Sequence, residues 1–181
     1  MNDRNEIYID SHVHLDHILE ENPERIEWLK SNGVLVISWA YSQQIESVRE
    51  LEKYLEKQAG TVRKLNKEGL PCYYLTGIHP RNIPPELHVL DVEALLAPYF
   101  DDPLCLGIGE IGLETARKTE KVIFAEQLAM GSKLKKKGMR IGIHTPVNNK
   151  AEITLQIISV LNSYPGLEDI TVIDHCTAQT I

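Results

Sequence analysis

The chain has 181 residues, 43% hydrophobic and 25% charged, with a formal net charge of −7 and an isoelectric point near 5.5. That is the composition of an ordinary globular protein, long enough for one domain with a true core and short for two. The acidic balance excludes a broad basic surface for non-specific nucleic-acid binding, but not a nuclease in which divalent metals meet the phosphate.

The N-terminal MNDRNEIYID has no apolar stretch of the kind that marks a secretion signal. Its last residues open a series of short apolar runs, at 7–9, 34–38, 72–76, 104–108, 139–143 and 170–173. Each has the length and β-branched content of a strand buried on both faces. Between them lie stretches with helical periodicity. The first covers 24–31 and stops at Gly33; a long one begins at Ser42 and carries Ile45, Val48, Leu51, Leu55, Ala59, Val62 and Leu65 on one face. Helices at 85–96, 117–137 and 149–162 follow, with Gly60 and Gly131 inside two of these stretches. Strand–helix–strand repetition predicts crossover connections and a parallel sheet, in units of about 30 residues. No linker or composition shift marks a boundary, so residues 1–181 read as one domain. No run reaches the roughly 18 apolar residues of a membrane helix. Cys72, Cys105 and Cys176 are scattered, with no CxxC pair to suggest a zinc ribbon or a disulfide framework. The expectation is a cytoplasmic protein without a membrane partner.

The residues that carry chemistry sit where these strands end. After the first comes Asp10-Ser11-His12-Val13-His14-Leu15-Asp16. Residues two apart in extended chain point the same way, so His12 and His14 converge while Val13 faces away. Neutral imidazole is the commonest protein ligand for zinc-like ions, and two at one strand end make half a metal site. The third run ends in Gly77-Ile78-His79-Pro80, and the fourth leads into Gly109-Glu110-Ile111-Gly112-Leu113-Glu114. The fifth ends in His144-Thr145-Pro146 and the sixth in Asp174-His175-Cys176. Taken singly, each histidine reads equally as a loop or satisfied core residue. Glu110, flanked by glycines and apolar residues, needs a cation or donors to offset its desolvation. Taken together, these strands place His or Glu at their C-terminal ends, the edge where parallel α/β proteins build active sites. A pair of divalent metals is the chemistry that uses such a set, sharing a carboxylate, acidifying a water and clamping phosphoryl or acyl oxygens. Glu110 is the natural bridge, with His12 and His14 on one ion and His144 and His175 on the other. His88 falls in a helix candidate as surface, and His17 reads either way.

The segments DSHVHLD at 10–16, GIHP at 77–80, GEIGLE at 109–114, VIFAEQLAM at 122–130, IHTP at 143–146 and DHC at 174–176 together resemble the TatD family of metal-dependent hydrolases, within the amidohydrolase superfamily. They occur in the family's order across essentially the whole chain. The resemblance implies a TIM-type (β/α) barrel, with about six of its eight βα units present. It implies His12, His14 and Glu110 on one metal and Glu110, His144 and His175 on the other. The ions would be two divalent metals (Zn, Mn or Mg), and Glu110 and His79 would be catalytic, His79 lining the cleft. The implied reaction is a metal-activated water attacking a phosphodiester, DNA included, or another ester, so the partner is a small-molecule or nucleic-acid phosphoester. An amidohydrolase acting on a C–N or lactone bond, and a truncated metal-binding fragment without catalysis, are the alternatives.

Glu114 stands where the family has Asp, and Thr145-Pro146 replaces a Ser–Arg pair, removing a bidentate phosphate donor. The chain reaches Ile181 before the aspartate that the family carries after strand eight. With six strands the barrel is expected to stay open along strands one and six, a route to self-association.

Overall fold

The computed structural model describes residues 7–178 and 180. Its strands are β1 (Ile9–Val13), β2 (Leu35–Ser38), β3 (Cys72–Thr76), β4 (Cys105–Gly112), β5 (Arg140–His144) and β6 (Thr171–Ile173). They lie side by side in chain order, and every neighbouring pair is parallel. In a flat sheet, β1 and β6 would stand about 24 Å apart, at about 4.8 Å per strand spacing. Yet the rings of His12, on β1, and His175, just after β6, have centroids 5.4 Å apart. The sheet is therefore strongly curled: six parallel strands of an incomplete barrel, with β1 and β6 at its two edges.

The helices are α1 (Leu15–Glu21), α2 (Glu24–Ser31), α3 (Val48–Lys67), α4 (Val92–Leu96), α5 (Lys118–Ala129), α6 (Gly131–Lys136) and α7 (Lys150–Leu161). Helix α3 shows why they form where they do. Ser47 accepts the N–H of Glu50 at 3.2 Å, and the Glu50 carboxylate reaches back to the N–H of Glu46 at 2.8 Å, an exchange close to a capping box. Leu51, Leu55, Ala59, Val62 and Leu65 then bury one face against the sheet. Among the described residues no helix is long and apolar enough to cross a membrane.

Several boundaries differ from those expected. The first strand is not 7–9 but Ile9–Val13, which puts His12 inside the strand. Ile7 and Ile9 are exposed, because this edge strand has a neighbour on one side only. The strand expected at 104–108 runs on to Gly112 and carries Glu110 within it. The long helix begins at Val48 rather than Ser42, where the Ser47 cap fixes its start, and Gly60 does not interrupt it. The stretch 85–96 is helical only from Val92, after a short 3₁₀ turn at Val89–Asp91. The stretch 117–137 breaks at Met130, where Gly131 lets Leu167 approach: a Cβ there would lie 2.4 Å from the leucine.

One glycine supports the site directly. A Cβ on Gly142, in β5, would sit 2.4 Å from the ring of Trp39, and Trp39 stacks on His12 with centroids 4.2 Å apart. Gly142→Ala is expected to lower the stability to urea by about 1–3 kcal/mol through overpacking. An unchanged unfolding midpoint would mean that Trp39 is free to move.

Candidate metal centre

The site gathers at the C-terminal edge of the curled sheet, and the strands are bent to make it. β1 holds one extra residue between Asp10 and Val13 relative to β2, and β4 holds one between Ile108 and Ile111 relative to β5. Bulges of this kind re-aim side chains. Here they flank His12 and Glu110.

Glu110 is 3% exposed and stands at the centre. Its Oε1 accepts from Nδ1 of His144 at 2.6 Å, while Oε2 lies 3.5 Å from Nε2 of His12. Nε2 of His175 is 3.9 Å from Oε1. Burial alone would raise the Glu110 pKa. The hydrogen bonds from His12 and His144, with the charges of His144 and His79, outweigh it and hold the carboxyl well below the usual range. Nε2 of His144 meets Glu114 Oε2 at 2.7 Å, and Arg81 donates to Glu114 Oε1 at 2.9 Å. Burial would raise the Glu114 pKa too, but Arg81 and His144 bring it down.

The two histidines of the HxH pair differ in their surroundings. Nδ1 of His14 bonds the Trp39 carbonyl at 3.1 Å, which leaves Nε2 free. Burial lowers the His14 pKa, against the pull of that bond. The His12 ring stacks on Trp39 and has Asp174 Oδ2 in contact with Nδ1. Burial works against its charged form, yet the Glu110 and Asp174 carboxylates raise its pKa overall. His79 is 2% exposed, and its Nδ1 accepts the N–H of Arg81 at 3.1 Å. Burial first, then repulsion from His144, brings its pKa down to about 3, so the imidazole is neutral in the physiological range.

The donor chemistry fits a divalent cation. Both ring nitrogens of His12 are buried and face carboxylates, Nε2 toward Glu110 and Nδ1 toward Asp174. Among the described residues, three compact donor sets occur, each with its ligand atoms within 4.8 Å of one another: His12, His14 and Glu110; His12, Asp174 and His175; and His79, Glu110 and His144. A carbonyl or carboxylate on Nδ1 of His14 and His12 is the arrangement that orients a metal-binding imidazole and fixes its tautomer. A cleft of about 440 Å³ opens onto this cluster, lined by His14, Tyr41, Arg81, Thr145 and Lys150 among others.

All of the candidates singled out from the sequence meet here: His12, His14, His79, Glu110, His144 and His175. Their grouping differs from the expected one. His144 joins His79 and Glu110 in a compact set, whereas His175, 55% exposed on its side chain, joins His12 and Asp174. His17 stacks on Tyr41, and His88 is exposed outside any helix, accepting the N–H of Leu90. Asp174, Arg81 and Lys150 were not picked out in advance. Asp174 was legible as a neighbour of His175. Arg81 and Lys150 gave no signal, because each reaches the site from outside a strand.

The family model for TatD related DNase matches residues 9–181. The chain belongs to that family. It is 29% identical over 178 residues to an uncharacterized metal-dependent hydrolase of Methanocaldococcus jannaschii, covering 96% of this chain and 67% of the relative. It is also similar to the crystal structure of a TatD-like protein from Archaeoglobus fulgidus, with a TM-score of 0.71 and 27% identity, over 96% of this chain and 70% of that one. These likenesses agree with the parallel order of β1 to β6 and with the incomplete barrel.

Alanine at His12, Glu110 or His175 is expected to lower the metal bound per chain, read by elemental analysis. Asp174→Asn, which leaves the five ligands expected from the sequence in place but weakens the orientation of His12 and removes a carboxylate from the second donor set, is expected to reduce metal affinity by about 10–100-fold. Parent-like metal content in all four variants would remove the site.

Proposed function

We propose that the chain binds divalent metal and hydrolyses phosphodiester bonds. By resemblance it is a metal-dependent hydrolase, since it belongs to the TatD related DNase family and matches a relative described in those words. Two divalent ions would be held by His12, His14, Glu110, His144 and His175. When bound, such ions supply an acidified water and neutralise charge developing on phosphoryl oxygens.

The chain's own residues do the rest. Glu110 stays ionised, as an anionic metal ligand must. Trp39 and Asp174 fix the planes of His14 and His12. His79, neutral and buried beside His144, offers an uncharged ring at the cleft wall; with Nδ1 accepting the Arg81 N–H, its Nε2–H is left to donate one hydrogen bond to the substrate. Arg81 holds Glu114, and through it His144.

The observation that favours a phosphodiester is Lys150. Its ammonium donates to the Thr145 hydroxyl at 2.9 Å and to the His175 carbonyl at 2.9 Å. Both acceptors are neutral, and among the described residues no carboxylate pairs with it. An uncompensated cation at the cleft wall suits an anionic substrate and gives nothing to a neutral ester or lactone. The bond to its carbonyl also braces His175, whose φ of +54° lies in the left-handed region.

Metal-reconstituted protein should be assayed on single-stranded DNA, on a phosphodiester chromogen and on a carboxylic ester chromogen. The expected result is turnover of the phosphodiesters, with Lys150→Gln raising KM for them by about tenfold, the loss of one charge-assisted contact. Turnover of the carboxylic ester alone would overturn the phosphodiester reading.

A further inference from the structure

A second cleft, of about 490 Å³, opens beside the metal centre on the same edge of the sheet, between the segment after β3 and the start of α5. The Arg81–Glu114 pair is the wall between the two. Arg81 lines both clefts, and Glu114 lines the second while its other oxygen holds His144. The floor is apolar, formed by Ile83, Pro84, Leu87 and Val89 on one side and Ile123 on the other. The mouth is cationic, with Arg117 and Lys118 both exposed.

The charges there are unequally satisfied. Glu114 is engaged by Arg81 and His144. Glu120 is engaged by three backbone N–H groups, those of Glu114, Thr115 and Ala116, at 2.9, 2.8 and 2.9 Å. That clasp also fixes the loop forming the cleft's wall. Arg117 and Lys118, in contrast, pair with no carboxylate among the described residues. In a chain of net charge −7, two unmatched cations over an apolar floor, next to a hydrolytic site, call for a ligand of matching shape.

We propose that this cleft is a second substrate subsite, which takes the nucleotide next to the one at the metal centre in a single strand. Its phosphate rests on Arg117 and Lys118, and its sugar and base lie on the apolar floor. This inference rests on the phosphodiesterase reading above. Arg117 offers a planar fork that matches a phosphate bidentately, Lys118 a point charge. The floor gains by shedding water from the face of a ring, whatever the base, so the subsite carries little sequence preference. A short neutral ester would reach neither group.

The test compares the parent chain with the double variant Arg117→Gln/Lys118→Gln, using fluorescence anisotropy of a labelled single-stranded oligothymidylate across a salt series. Metal-free protein is used, so that binding is read without turnover. The double variant is expected to bind about tenfold more weakly. The slope of log affinity against log salt should flatten by about 1.4, two contacts at about 0.7 each for single strands. Metal content and thermal midpoint should match the parent's. If the parent cleaves single-stranded DNA but the variant binds with the parent's affinity and slope, the subsite is refuted and the phosphodiesterase reading stands. If the parent neither binds nor cleaves DNA and turns over only carboxylic esters, both fall.

Discussion

Glu110 puts a carboxylate that is 3% exposed at the C-terminal end of a central strand, and a buried carboxylate costs several kcal/mol unless donors or cations meet it. Much of the surrounding architecture answers that cost. His144 donates from β5, His12 approaches from β1, and His175 comes from beyond β6. For strands at opposite edges of the sheet to reach one oxygen pair, the sheet has to curl. Bulges in β1 and β4 then turn His12 and Glu110 toward each other. Curl and site are therefore one constraint seen at two scales.

A second set of residues acts on the histidines rather than on Glu110. Trp39 stacks on His12 and takes the Nδ1 bond of His14 through its carbonyl, while its own indole N–H donates to the Ser11 carbonyl at 2.8 Å. One residue of the loop after β2 thus locks both members of the HxH pair, and Gly142 of β5 leaves room for its ring. On the far side, Arg81 and Glu114 brace His144 and divide the metal cleft from the apolar cleft beside it. The two carboxylate oxygens of Glu114 span Arg81 and His144, one to each.

The strand ends were legible in the sequence because parallel α/β chemistry concentrates at one edge, and apolar runs followed at once by His or Glu announce that edge. His12, His14, His79, Glu110, His144 and His175 are read that way, and all come to one place. Bulges were not legible: nothing in Asp10–Val13 or Ile108–Ile111 marks an extra residue, since a bulge is a relation between two strands. The break at Met130 inside the 117–137 stretch was signalled only by Gly131; the packing of Leu167 on that glycine, from a distant segment, was not legible. Arg81 and Lys150 were missed for the same reason. Each acts through partners far along the chain, Glu114 and the His175 carbonyl, that periodicity cannot connect.

The central claim is that a divalent ion sits on Glu110. Crystals grown with manganese or zinc, measured at the metal's absorption edge, test it most directly. The account predicts anomalous density roughly 2.0–2.2 Å from a Glu110 carboxylate oxygen, with His12, His14 or His144 nitrogens completing the shell. Density confined to other parts of the surface, with none beside Glu110, would contradict it.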